Sequence, residues 1–302
     1  MEYIFKGTGT ALSTPFNLDG SINFSSLGKL IDYQIDNGIE CLVPCGSTGE
    51  SATMNHNERI EVIKFTLEKA RNYASHKPKV IAGTGSNITS QTIEFSLEAQ
   101  ELGVDGVLLV SPYYNKPNQN GLIAHFSAIA NACSDLPIIL YNVPGRTGGN
   151  ITAETTLELA SKFKNIVAIK EASADIEQCS KIIRDAPNGF GLLSGEDSLT
   201  VPLISLGGIG VIAVISNEAP KDFGDMVRCA LANDFNHAKF LHHKLFDLMR
   251  TNFIETNPVP VKEALSMMGI FEEANFRLPL VQLSKTNRDI LKTVLMELGL
   301  VN

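Results

Sequence analysis

Eight short apolar runs recur along the chain at roughly regular spacing: GTALSTPF near Thr10, CLVPC at Cys41, KVIAG at Lys79, GVLLVS at Gly106, PIILYN at Pro137, IVAIK at Ile166, FGLLS at Phe190 and GVIAV at Gly210. Each is nearly continuous in apolar character instead of alternating, as expected of parallel strands covered on both faces. Between them lie helical patterns. In Asn55 to Tyr73 the residues Ile60, Ile63, Leu67 and Ala70 recur at steps of three and four, a stripe that faces a sheet. Further helices are predicted over Ser25–Asp36, Thr89–Leu102, Gly121–Ala132 and Thr152–Phe163, with Thr89 and Thr152 as N-caps lacking a full capping box. Eight strands, each followed by a helix, over about 225 residues give an α/β chain folded as a (β/α)8 TIM barrel. A doubly wound open sheet is the alternative.

Past Asp225 the strand signals stop while helical ones continue, over Phe223–Leu231, His237–Thr251, Val259–Met268 and Lys285–Leu298. The expected organisation is therefore a barrel over 1–224 and an all-helical C-terminal domain over 225–302. With no low-complexity stretch or Pro/Gly/Ser linker, the extension should pack on the barrel. The one long apolar run, Val201 to Ser216, is too short to span a bilayer and is broken by Gly207, Gly208 and Gly210, so it reads as helix, turn and buried strand.

Charge and cysteine usage exclude several partners. Lys and Arg number 25 against 33 for Asp and Glu, a formal charge of -8 with no basic cluster, which gives nucleic acid no electrostatic support. Cys41, Cys45, Cys133, Cys179 and Cys229 are scattered and form no CxxC, arguing against a disulfide framework and a zinc knuckle. The first residues, MEYIFKGTGTAL, lack the basic and apolar segments of a signal peptide, so a cytoplasmic, membrane-free protein is expected.

In a barrel of this kind the site is built at the carboxyl ends of the strands, so the polar residues that follow each run are the candidates. After strand two comes GSTGES, Gly46 to Ser51, which is either an ordinary turn or a place where backbone and ligand approach closely. Strand four ends in SPYYNKP with Tyr113 and Tyr114, which suit packing or an interface as well as chemistry. Strand five runs from Tyr141 into Asn142, Val143, Pro144, Gly145 and Arg146. In IVAIKEAS, Lys170 ends a buried run, where an ammonium is costly unless paired or neutral. Either it pairs with Glu171 and reaches water, or it is a nucleophile that forms a Schiff base with a ketone. Hydroxyls at the ends of strands two, four and five would converge on it. GGIG at Gly207–Gly210 is read equally as a phosphate cradle or as close packing. His242 and His243 are adjacent and lie on different sides of a helix, and His56 opens one; no metal site is read.

GSTGES, SPYYNKP, YNVPGRTG, AIKEAS, LLSGED and GVIAVISN, in this order and followed by NPVPVKEAL, resemble the pyruvate-dependent class I aldolases of the dihydrodipicolinate synthase and N-acetylneuraminate lyase superfamily. The resemblance covers nearly the whole chain. Tyr114 and Arg146 favour its dihydrodipicolinate synthase branch. By that resemblance Lys170 attacks the keto carbon of pyruvate, with no external cofactor, and Tyr141 is acid and base there. Ser47 and Tyr114, the latter lent by a neighbouring subunit, complete a hydroxyl chain with Tyr141. Thr48 holds the pyruvate carboxylate, Arg146 the carboxylate of L-aspartate 4-semialdehyde, and Gly195 and Ile212 line the pyruvate pocket. The implied assembly is a homotetramer built as a dimer of dimers, and the implied role is the ring-forming step toward diaminopimelate and lysine.

Two departures stand out. Ser47 replaces the usual threonine and loses the methyl that restrains its rotamer. Of the allosteric positions of lysine-inhibited relatives, Ser51, His56, Asn87 and Tyr113 match, whereas Arg59 and Gln91 replace a histidine and a glutamate. Losing an anion and adding a cation disfavours an ammonium-bearing effector, so weak or absent lysine feedback is expected. Two other readings are a Schiff-base lyase acting on neuraminate or a keto-deoxy-sugar acid, and a non-catalytic barrel that binds a small keto acid.

Overall fold

The computed structural model describes residues 3–73 and 76–302. Its strands are β1 Gly7–Ala11, β2 Cys41–Val43, β3 Lys79–Gly83, β4 Gly106–Val110, β5 Ile138–Asn142, β6 Ile166–Glu171, β7 Gly191–Ser194 and β8 Gly210–Ala213. All pair in parallel in sequence order, and β8 returns to β1, closing the barrel. An open doubly wound sheet is thereby ruled out.

Closure explains the continuous apolar runs. In β5, Ile138 and Leu140 pack outward against helices, while Ile139 and Tyr141 belong to the lumen cluster with Val43, Leu108, Ala168 and Leu193. Both faces of each strand are covered, so alternation of side chains does not produce alternation of polarity. In β6 the same alternation sends Ala168 inward and Ile169 outward, which turns Lys170 to the lumen and Glu171 to the outer face.

The helices are α1 Phe24–Asp36, α2 His56–Asn72, α3 Thr89–Leu102, α4 Gln119–Ala132, the single turn α5 Pro144–Thr147, α6 Ala153–Lys162, α7 Ile176–Asp185, α8 Thr200–Ser205, α9 Pro220–Leu231, α10 Phe235–Thr251, α11 Val259–Met267 and α12 Lys285–Glu297. Thr152 caps α6 through the amide of Thr155, as expected. Thr89 does not cap α3: it is the first helical residue, Ile88 holds the cap position, and the Thr89 hydroxyl instead meets His125 Nδ1 at 2.9 Å. A full capping box does occur on α2, where Asn55 accepts from the Glu58 amide and Glu58 from the Asn55 amide.

Val201 to Ser216 forms helix, turn and strand, and its glycines settle into packing. A Cβ on Gly210 would lie 2.0 Å from the Gly7 carbonyl oxygen, and the amides of Gly207 and Gly208 donate to Ile204 and Leu203. Those donors are spent inside the fold, at the amino end of β8, so GGIG is no phosphate cradle.

Residues 224 and 225 fall within α9, whose Phe223, Met226 and Val227 pack with Val211 and Ala213 of β8 and with Leu245 and Leu248 of α10. Because α9 covers β8 as the last barrel helix, we place the end of the barrel unit after Leu231. The helices beyond share that cluster and pack on the barrel. No helix among the described residues is long and apolar enough to cross a membrane.

Candidate active site

The β5–β6 register sets Tyr141 directly beside Lys170, and the Lys170 ammonium nitrogen lies 4.4 Å from the centre of the tyrosine ring. Lys170 is 6% exposed. The pairing with Glu171 considered above does not form. Glu171 lies on the outer face, where its carboxylate accepts from Asn142 Nδ2 at 3.0 Å, from Gln178 Nε2 at 2.8 Å and from the Ser173 amide at 2.8 Å. Among the described residues Lys170 has no ion-pair partner. A buried amine without a counter-ion, facing a small cavity, is placed to act on an electrophile.

That cavity, of about 90 Å3, is lined by Ser47, Thr48, Tyr141, Arg146, Lys170 and Gly195, with Glu196, Val214 and Asn257. Six of the residues singled out from sequence thus meet around one space. Two adjoining spaces share Ser47 with it: a small one that also touches Tyr141 and Ser51, and a cleft of about 320 Å3 lined by Ser51, Arg59, Tyr113 and Arg146. Ile212 stands apart. It lies in the lumen cluster and lines a separate recess with Phe5 and Gly9, while Val214, two residues on and just past the end of β8, reaches the Lys170 cavity.

Gly195 sits where only a hydrogen fits. Its amide donates to the Glu171 carbonyl at 2.7 Å, and a Cβ would approach Ala172 Cβ to 2.6 Å. Thr48 is buried and its oxygen accepts from Asn257 Nδ2 at 3.0 Å, which leaves its own proton free to donate into the cavity. Arg146, on α5, donates through Nη2 to the Asn257 carbonyl at 3.0 Å. The remaining guanidinium donors are available for a carboxylate, in keeping with the planar fork of arginine.

Tyr114 is not brought into the cavity. It is 92% exposed and holds φ 71°, a conformation uncommon for a non-glycine residue. Tyr113 lines the larger cleft, and its carbonyl accepts from Asn87 Nδ2 at 3.2 Å. Nearby, the Phe95 ring packs with His56, stacked at 4.8 Å, and with the Arg59 guanidinium at 4.0 Å. Arg59 Nη2 donates to the Gly83 carbonyl, and burial lowers the guanidinium's proton affinity. His56 Nε2 lies 2.8 Å from Glu98, and Gln91 accepts from Ser86 Oγ. The described residues contain two groups with metal-ligand spacing, Cys229–Asp234–His237 and His56–Glu94–Glu98; neither lines the Lys170 cavity.

Sequence reasoning missed Asn257, which touches both Thr48 and Arg146, and Glu196, whose carboxyl is pushed above its usual range by burial at the cavity wall. Both stand in motifs quoted above, NPVPVKEAL and LLSGED, but neither has a local pattern that marks its contacts.

A closed barrel with an unpaired lysine at a strand end, facing hydroxyls and a guanidinium across one cavity, is the arrangement of an enzyme that works through an amine nucleophile. The chain belongs to the dihydrodipicolinate synthetase family, whose profile matches residues 4–298. It is 48% identical over 298 residues to the 4-hydroxy-tetrahydrodipicolinate synthase of Syntrophotalea carbinolica, covering 99% of each chain. The crystal structure of dihydrodipicolinate synthase from Thermotoga maritima superimposes with a TM-score of 0.95 at 42% identity, over 99% of this chain and 100% of that one. A dihydrodipicolinate synthase from Cyanidioschyzon merolae with lysine bound matches with a TM-score of 0.94 at 40% identity, over 99% of this chain and 100% of that one.

Proposed function

We propose that this chain is a 4-hydroxy-tetrahydrodipicolinate synthase that joins pyruvate to L-aspartate 4-semialdehyde through a Schiff base on Lys170. The observation that carries the reading is the unpaired Lys170 amine 4.4 Å from the Tyr141 ring, in a cavity that also holds Thr48 and Arg146.

Lys170 adds to C2 of pyruvate and water leaves, giving an iminium that draws electrons from C3. Tyr141 removes a C3 proton, and the enamine carbon attacks the aldehyde of the second substrate, forming the C–C bond as the aldehyde oxygen takes up a proton. The amine of the bound semialdehyde then attacks C2 and displaces Lys170, closing the ring and regenerating the free lysine. The balance is one pyruvate and one semialdehyde in, one cyclic product and one water out. No cofactor is needed, since the iminium is the electron sink.

Thr48 donates to the pyruvate carboxylate and Arg146 to that of the semialdehyde. Ser47 and Tyr114 relay protons between Tyr141 and solvent. The exposure and positive φ of Tyr114 support its donation to the site of a second copy, which would make the dimer the smallest complete unit; a dimer of such dimers is the assembly we propose. Ser51, Arg59 and Tyr113, three of the positions of the lysine site, line the larger cleft, where the Arg59 cation, packed on Phe95, opposes an ammonium. The setting is the cytoplasm.

Borohydride reduction in the presence of pyruvate, followed by peptide mass spectrometry, tests the mechanism. A pyruvyl adduct on Lys170 that aspartate semialdehyde discharges is expected. Discharge only by a sugar-derived aldehyde would assign the chain to the lyases, and absence of an adduct would leave a keto-acid-binding barrel.

A further inference from the structure

The C-terminal helices reach the substrate side of the barrel through an ion pair that water does not touch. Lys262 on α11 donates to Glu50 Oε1 at 2.5 Å, with side-chain exposures of 0% and 1% across 212 residues of sequence. The rings of Phe16 and Phe276 flank the ammonium at 4.3 and 4.9 Å, and the second Glu50 oxygen is buried with no partner. Burial pulls Lys262 down to about 8 and pushes Glu50 up, so desolvation opposes both charges.

Such a pair adds little net stability over apolar residues of the same volume, while separating its partners strands a charge in the interior. What it arranges is the Gly46–Ser51 loop. Glu50 stands two residues after Thr48, holds φ 53°, and its amide donates to the Ser47 carbonyl at 3.1 Å. A left-handed conformation is unfavourable for a glutamate and needs support from its surroundings. The same C-terminal stretch grips this loop once more, through Asn257 to Thr48, and holds the turn that follows it through Arg277 Nη1 to the Thr53 carbonyl at 2.8 Å. Lys170 and Tyr141, by contrast, stand on paired strands of the barrel.

We propose that Lys262 and Glu50 are positioning residues: their pair, formed from the C-terminal unit, sets the loop so that Ser47 and Thr48 present their hydroxyls to the keto acid on Lys170. The inference rests on the pyruvate reading of the cavity. It separates two tasks in one site, with amine chemistry placed by the barrel and carboxylate recognition placed by the extension.

The test compares Lys262→Met, Glu50→Gln and the double variant in thermal unfolding, in KM and kcat for each substrate, and in borohydride trapping with pyruvate. The double variant, which removes both charges, is expected to melt near the wild-type temperature while its KM for pyruvate stays raised about tenfold. Trapping on Lys170 at saturating pyruvate should persist, and the KM for the semialdehyde should move less. A double variant with wild-type melting and wild-type pyruvate KM would overturn the proposal, since the pair would then serve only the fold. Should the double variant not fold, Glu50→Gln decides: a pyruvate KM raised about threefold or more supports positioning, and an unchanged one refutes it. If wild-type protein forms no adduct, the keto-acid reading falls and this inference with it; adduct formation with unaltered KM in the variants refutes positioning alone.

Discussion

Replacing Gly195 with alanine probes the join between β6 and β7 at the cavity wall. The added methyl would stand 2.6 Å from Ala172 Cβ and 3.0 Å from the Glu171 carbonyl oxygen. Carbon atoms in contact rest about 3.5–4.0 Å apart, so the overlap is about 1 Å and lies partly against backbone, which cannot rotate away. Relief requires the carboxyl ends of the two strands to part by a similar distance, straining the 2.7 Å bond from the Gly195 amide to Glu171, one residue beyond Lys170. Overpacking of this kind costs about 1–3 kcal/mol. Gly195→Ala should therefore lower the urea midpoint and raise the pyruvate KM together. Gly149→Ala is the control, because a Cβ there meets nothing within 4 Å and its φ lies outside the left-handed region; it should be neutral or gain up to about 1 kcal/mol. Equal midpoints for the two variants, with wild-type pyruvate KM in Gly195→Ala, would refute the steric reasoning.

Tyr114→Phe should lower kcat by about 100-fold or more while Lys170 still traps pyruvate. Mixing it with Lys170→Ala subunits should restore part of the rate if one chain completes the site of another, and no recovery after subunit exchange would argue for a site built from one chain. Arg146→Lys should raise the KM for aspartate semialdehyde at least about tenfold with little change for pyruvate, because a point charge replaces a planar fork; steady-state kinetics with each substrate varied will tell. Lysine at millimolar concentration should leave the rate unchanged, and inhibition in the low micromolar range would contradict the argument from Arg59. Burial lowers His125 to about 4 from its ordinary 6.5. The folded state then binds fewer protons between these values, so this contribution is complete above about pH 6.5 and is lost as pH falls toward 4, on the order of 3 kcal/mol. His125→Phe should flatten the acid side of a plot of urea stability against pH, and an unchanged slope would show that other groups set it.

Much of the fold was legible because a closed parallel barrel covers both faces of every strand. That single condition produces the unbroken apolar runs, and Lys170 stood out as the charge that ended one of them. The helices followed from apolar residues at steps of three and four. Their caps were less legible, because an N-cap depends on where the chain turns: Thr89 has the right side chain one residue too late, and Asn55 with Glu58 completed a box that the apolar stripe alone did not reveal. The GGIG turn kept two readings open until its amides were seen bonded within the fold.

Local chemistry thus determined which residue types stand at the strand ends, and strand alternation separated Lys170 from Glu171 once the lumen had a direction. Which groups face one another was decided only by the tertiary structure. Glu171 found Asn142 and Gln178 on the outer face, Val214 rather than Ile212 reached the cavity, and Asn257 bridged Thr48 to Arg146. The Glu50–Lys262 pair joins residues 212 positions apart. Periodicity is a property of neighbours along the chain, whereas these contacts arise when barrel closure and docking of the C-terminal helices bring distant segments to the same place.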